Sequence, residues 1–315
     1  MHVIRPAERG EVRAALGVLL ARPNMDPGEL HRQIDTLIRY ASRQNLSLKH
    51  CLVAEEGGRI ETACLCVDAP GRMASVFIPN QVPTPAHADT VVSLLQETVC
   101  RAESRGVRLV QGVIAPEAVL ERDLFARAGF KRLTELIYLE RDVVEPVPRT
   151  RSYPPLTWEE YSVHAHREFA RVVQETYTGS LDCAALSGVR DIEDTLASHR
   201  AAGEFDPRFW LLARSGREAV GVLLMARVPE RASMEVVYMG LLPSARGQGY
   251  GATLLRRAIE TARAQGTALV TLTVDVENLP ARGLYAAFGF QEVTRRDVWM
   301  CILPLQMEPD SAQGS

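Results

Sequence analysis

The segment Leu241-Leu-Pro-Ser-Ala-Arg246-Gly247-Gln248-Gly249-Tyr250-Gly251-Ala252 holds the residues best suited to grip a phosphate. Glycines let a backbone approach a ligand and turn its N–H groups toward it, and an opening helix adds a positive partial charge. Arg246 adds a full charge beside them. The loop lacks the Gly-Lys-Ser/Thr end of a Walker loop, which argues against a nucleoside triphosphatase. It also departs from Gly-x-Gly-x-x-Gly and follows three strands of its unit, against a dinucleotide fold. A tight strand-to-helix turn without a ligand has the same composition, so the loop needs its neighbours. Upstream, Glu235 stands on the strand leading into it, either as a proton acceptor or as a solvated carboxylate. Downstream comes Asn278-Leu-Pro-Ala281-Arg-Gly-Leu284-Tyr285-Ala-Ala-Phe-Gly289-Phe290. Its Tyr285 reads on its own as a core aromatic beside Leu284 and Phe288, and Asn278 as a ligand contact or a helix cap.

The elements that must position these groups follow from periodicity. Strands are expected at residues 209–213, 219–226 and 234–242. A helix follows over residues 251–265, with Leu254, Leu255, Ala258, Ile259 and Ala262 on one face and Gly266 at its stop. A β-branched strand spans 269–276, a short helix 281–288, and one or two strands close the unit at 292–303. Ahead of them, residues 158–176 and 190–201 read as helices. That order predicts an α/β unit with a mixed sheet.

The unit is written twice. Gly129-Phe130 and Gly289-Phe290 stand 160 residues apart. At the same spacing Pro83 matches Pro243, Leu94-Leu95 match Leu254-Leu255, and Ala102 matches Ala262. Gly106 likewise matches Gly266, Leu109-Val110 match Leu269-Val270, and Leu124 matches Leu284. The expected organisation is a first copy at 1–144, a proline-rich linker at 145–155, a second copy at 156–305, and a flexible tail at 306–315.

These motifs resemble the GNAT superfamily of N-acetyltransferases. Arg246-Gly-Gln-Gly249-Tyr-Gly251 satisfies that family's Arg/Gln-x-x-Gly-x-Gly/Ala loop, and Asn278, Ala281, Leu284, Tyr285, Gly289 and Phe290 satisfy its later motif. The resemblance covers residues 158–303 well and 1–144 weakly. The doubling is similar to the tandem type seen in the mycothiol synthases. The resemblance implies two tandem GNAT-like (acyl-CoA N-acyltransferase) domains, each a mixed, mostly antiparallel sheet flanked by helices. It implies acetyl-CoA as cosubstrate, an amine acceptor, direct transfer in a ternary complex, and no metal. By resemblance the pyrophosphate rests on N–H groups from Gly247, Gln248, Gly249, Tyr250, Gly251 and Ala252, with Arg246 contributing charge. The thioester oxygen meets an N–H of Met239, Gly240 or Leu241, and Asn278 reaches the pantetheine arm. Glu235 is the base, and Tyr285 gives a proton or hydrogen bond to the CoA thiolate. The acceptor is expected against residues 176–200, where no clear family match is found; Glu175 and Asp182 would suit a cationic amine.

The first copy has lost these groups. At the 160-residue spacing the loop falls on Ala86-His87-Ala88-Asp89-Thr90-Val91, Tyr285 on Phe125, Asn278 on Ala118 and Glu235 on Ser75. A structural copy that neither catalyses nor binds CoA in the usual way is expected, with residual CoA binding left open. Composition narrows the partners. A net charge of −3 gives no general attraction to nucleic acid. No uninterrupted apolar run approaches the ~18 residues of a membrane span. The six cysteines form no CxxC pair and no zinc spacing, and none has a motif suggesting a covalent acetyl-enzyme. Reduced thiols and a polar N-terminus predict a cytoplasmic protein. Three readings stay open: an acetyltransferase of an unidentified amine, an acyl-CoA sensor or interaction module that uses the loop without base or acid, or, more narrowly, an enzyme of the mycothiol synthase type that the doubling resembles.

Overall fold

Apolar residues at helical spacing form helices and β-branched runs form strands, in an order that occurs twice. The computed structural model describes residues 2–79, 84–148, 154–183, 186 and 188–304. The first copy comprises β1 (Val3–Pro6), α1 (Val12–Leu20), α2 (Pro27–Arg43), β2 (Cys51–Glu56), β3 (Arg59–Ala69) and β4 (Met73–Phe77). It continues through α3 (Pro85–Ser104), β5 (Leu109–Ile114), α4 (Val119–Arg127) and β6 (Lys131–Asp142). The second comprises β7 (Thr157–Glu160), α5 (His166–Thr176), α6 (Ile192–Arg200), β8 (Trp210–Ser215), β9 (Glu218–Val228) and β10 (Ser233–Leu241). It ends with α7 (Tyr250–Ala264), β11 (Leu269–Asp275), α8 (Leu279–Ala287) and β12 (Gln291–Ile302), the last a single strand.

One expected helix starts late. Residues 157–160 form β7, with Trp158 opposite Ala213 of β8. Trp158 packs on the core and under the Arg257 guanidinium, 5.6 Å from its ring centre. Sheet pairing and that contact outweigh the local helical pattern. The helix begins only at His166, after the Ser162 hydroxyl accepts the Ala165 N–H at 3.2 Å.

Two compact units form: residues up to Leu133 with those from Asp297 onward, and Thr134–Arg296. The division passes through β6 and β12. The first unit's strand order is β1-β2-β3-β4-β5-β12, and the second's is β6-β11-β10-β9-β8-β7. In the second unit β6 lies antiparallel to β11, with Leu136 opposite Asp275 and Asp142 opposite Leu269. In the first, β12 lies antiparallel to β5, with Asp297 opposite Ile114. Each copy's last strand thus completes the sheet of the other copy. Residues 134–144 pack in the second unit and 297–304 in the first, across the copy boundaries read from sequence. The linker's start also packs in the second unit, where Arg141 Nη2 donates to the Glu145 and Pro146 carbonyls, both at 2.9 Å. Residues 149–153, the expected tail at 306–315 and Pro83 lie outside the described residues.

In the second unit, α7 and α8 cover one sheet face, burying Met234, Val236, Leu254, Leu255, Leu272 and Phe288. The other face carries α5 and α6 over Phe169, Val173, Leu196, Trp210, Val222 and Leu224. The first unit repeats this with α3 and α4 on one face and α1 and α2 on the other. There Asp297 is wholly buried, and Arg132 and Arg122 neutralise it at 2.7 and 2.9 Å. No helix among the described residues is long and apolar enough to cross a membrane.

Candidate active site

The site begins where two neighbouring strands part. β10 and β11 run parallel from Ser233 opposite Leu269 to Val236 opposite Leu272, and the pairing ends there although both strands continue. On its other edge β10 stays paired to β9, with a bulge at Val237 between Val236 opposite Met225 and Tyr238 opposite Leu224. A bulge adds one residue to one strand and bends it. The bend opens a cleft of about 580 Å³ between the two strands.

The lining of that cleft gathers most of the expected residues. Met239, Gly240, Leu241, Arg246, Gly247, Gly249, Gly251, Ala252, Asn278 and Tyr285 all line it, with Asp182 and Tyr238. Glu235, Gln248 and Tyr250 do not. Gln248 donates its amide to the Ser244 carbonyl at 2.7 Å, and the Tyr250 hydroxyl donates to Ser215 at 3.1 Å, tying α7 to β8. Glu235 shares the β10 face of Tyr238 and pairs with Thr271, one residue before the last pair of the two strands. Burial pushes its carboxyl above the usual carboxylate range.

The loop is shaped by backbone. Gly247 and Gly249 adopt φ of +74° and +86°, a region costly for L side chains. Gly249 is the N-cap of α7, and no side chain caps that helix, so its first N–H groups face the cleft end without a side-chain acceptor. Such an end attracts anions. Gly251 and Gly240 are small for packing: a Cβ on Gly251 would meet Leu284 Cδ2 at 3.3 Å, and one on Gly240 would meet Thr176 Oγ1 and the Tyr238 hydroxyl at 2.8 Å.

Arg246 lines the cleft and also holds the chain around it. Its guanidinium donates to the carbonyls of Thr176 at 2.8 Å, Gly179 at 2.9 Å and Leu241 at 3.3 Å. It thereby closes the C-terminal end of α5 and ties the acceptor-side segment to the loop. Asn278 caps α8 by accepting the Ala281 N–H at 3.3 Å, and it still lines the cleft. The Tyr285 ring is buried, 5.8 Å from Phe290, and burial raises its phenol, so it stays protonated at neutral pH.

The α5–α6 connection forms a second cavity of about 390 Å³, lined by Tyr177, Asp182, Cys183, Arg190, His199 and Tyr238 among others. Asp182 and Tyr238 line both spaces. Asp182 is fixed to the end of β11: its Oδ1 accepts the Asp275 N–H at 2.9 Å, and Asp275 Oδ2 accepts the Cys183 N–H at 3.0 Å. Burial raises Asp182, with the Asp275 charge adding to it. Glu175, the other acidic candidate, instead pairs with Arg171 at 2.9 Å. Tyr177 bonds His199 Nε2 at 3.1 Å, and the His199 ring stacks 5.2 Å from Tyr238. Burial lowers His199 to about 4. Tyr238, Arg190 and His199 escaped the sequence reading. Only the bulge turns Val237 and Tyr238 both toward this cavity, and strict alternation does not announce it.

Known proteins resemble this chain in sequence and in fold. The model of the acetyltransferase (GNAT) family matches residues 156–290. A mycothiol acetyltransferase of Beutenbergia cavernae is 29% identical over 231 residues, 64% of this chain and 73% of its own. One from Thermobifida fusca is 26% identical, over 81% of this chain and 83% of its own. A GCN5-related N-acetyltransferase structure from Sphaerobacter thermophilus superposes with a TM-score of 0.62 at 17% identity, covering 98% of both chains, and shows the fold. Residues 156–290 thus match the model of the acetyltransferase (GNAT) family, and the chain shares the fold of that solved N-acetyltransferase.

Proposed function

We propose that the second unit transfers acetyl from acetyl-CoA to an amine in a ternary complex, and that the first unit is a non-catalytic copy. The observation that carries this is the parting of β10 and β11 past Val236 and Leu272, which leads from the loop to Tyr285. The pyrophosphate lies on N–H groups of Gly247 to Ala252. The pantetheine arm runs between the strands past Asn278, and an N–H within Met239 to Leu241 donates to the thioester oxygen as charge builds on it.

The amine enters from the second cavity. As an ammonium it first loses one proton, to Glu235 through water, because only the neutral amine attacks. A N–C bond forms, the C–S bond breaks, and the amide nitrogen sheds its second proton. The CoA sulfur gains one. A raised Tyr285 phenol suits hydrogen-bond donation to that thiolate better than full transfer. Thiol release from acetyl-CoA against amines, amino acids, aminoglycosides and peptide N-termini tests the reading. Amine-dependent release supports it. Acetyl-CoA binding without release across the panel favours the sensor instead. The mycothiol acetyltransferase relatives make the cysteinyl amine of a glucosamine-inositol one narrower acceptor to include.

A further inference from the structure

The second cavity has a charge pattern of its own. Among its described lining residues, Asp182 is the only carboxyl group and Arg190 the only guanidinium. His199 is neutral above about pH 4, and the Cys183 thiol is pushed up to about 12 by burial. The two groups are placed differently. Asp182 also lines the cleft that ends at Tyr285, whereas Arg190 lines the second cavity alone.

Arg190 is short of partners. Its Nη2 donates to Ser198 Oγ at 2.6 Å and to the Asp194 carbonyl at 3.5 Å. Its buried Nε has no partner among the described residues, and no carboxylate there lies within ion-pair distance. Arg214, by contrast, meets Glu159 at 2.6 Å and Glu168 at 2.7 Å. A half-buried guanidinium with an idle N–H and no carboxylate within ion-pair distance is suited to an anion from outside.

Resting on the acetyltransferase reading, we propose that the acceptor is a zwitterion: an amine bearing its own carboxylate or phosphate, its ammonium end at Asp182 and its anion on Arg190. This order points the nitrogen toward the thioester and keeps the anion away from the CoA phosphates. It disfavours a neutral aminoacyl amide as the best acceptor.

The test uses the full chain and matched probes. α-Amino acids are paired with their C-terminal amides, and glucosamine 6-phosphate with glucosamine. Thiol release should favour the anionic member of a pair, and the two pairs tell carboxylate from phosphate. Arg190→Gln should raise KM for that member about thirtyfold or more, leave its neutral counterpart and acetyl-CoA affinity unchanged, and spare kcat. Arg190→Lys should recover part of the loss, which a purely structural role would not predict. Equal use of both members by the unaltered protein, or an equal effect of Arg190→Gln on both, overturns the zwitterion while leaving acetyl transfer intact. If no amine releases thiol, the acetyltransferase reading fails. Calorimetric titration of the same amines then decides: anion-dependent binding lost in Arg190→Gln supports the inference, and no such binding overturns it. If Arg190→Gln does not fold, the matched pairs on the unaltered protein still separate the two outcomes.

Discussion

The two units begin the same motif and finish it differently. β4 pairs with β5 from Met73 opposite Leu109 to Ser75 opposite Gln111, the register that β10 and β11 repeat 160 residues later. β4 then stops at Phe77, whereas β10 bulges and continues to Leu241. α3 starts at Pro85, with Thr84 accepting the His87 N–H at 3.2 Å, so residues 86–89 lie inside a capped helix. Their counterparts in the second unit are still loop, bent by two left-handed glycines. Asp89 pairs with Arg127 where the other unit leaves N–H groups open. Phe125 is buried against Gly112, where a Cβ would collide with its ring, while the matching Leu272 and Tyr285 line the cleft. Regular structure is what fills the first site. A phosphate loop is a helix start left uncapped and a sheet left unzipped, both held open by a few residues.

Gly249→Asp copies Asp89 into the second unit and should break the contrast most. It puts an L side chain at φ +86° and an anion where we propose that the pyrophosphate lies. Acetyl-CoA affinity by calorimetry should fall on the order of a hundredfold. The reciprocal Asp89→Gly should leave it unchanged, since α3 is already capped by Thr84.

Glu235→Gln should come next, with a loss of about tenfold to a hundredfold in kcat/KM for the best acceptor. Burial raises Glu235, so the base form appears only as pH climbs past the ordinary carboxylate range. The rate should rise with pH across that limb, and the variant should flatten it. Ser75 stands at this position in the first unit, so no second limb is expected.

The smallest effect concerns stability. His199 is held near 4 in the fold against ~6.5 unfolded, so the unfolded chain takes its proton first. Its contribution is complete above pH 6.5 or so and is lost as pH falls through about 4. Urea midpoints at neutral and acidic pH should differ less in His199→Phe than in the unaltered protein.

Much of this was readable from residues alone. The 160-residue repeat foretold α4 and α8, β5 and β11, and β6 and β12 at matching positions. Ten of the expected site residues line the cleft because glycines and turn residues are local signals. Three things were not legible. The exchange of β6 and β12 between sheets depends on pairing partners, which periodicity does not encode. The carbonyl clamp made by Arg246 depends on where α5 ends in space. The second cavity depends on a bulge that turns two successive residues to one side, and on Arg190 and His199 from a segment with no motif.

The most direct measurement is amine-dependent thiol release from acetyl-CoA by two mirror-image variants, Tyr285→Phe and Phe125→Tyr. Tyr285→Phe should lower turnover about tenfold to a hundredfold at nearly unchanged acetyl-CoA affinity, and Phe125→Tyr should change neither. Full activity in Tyr285→Phe, or an equal loss in both variants, would contradict a single acetyl-transfer site in the second unit.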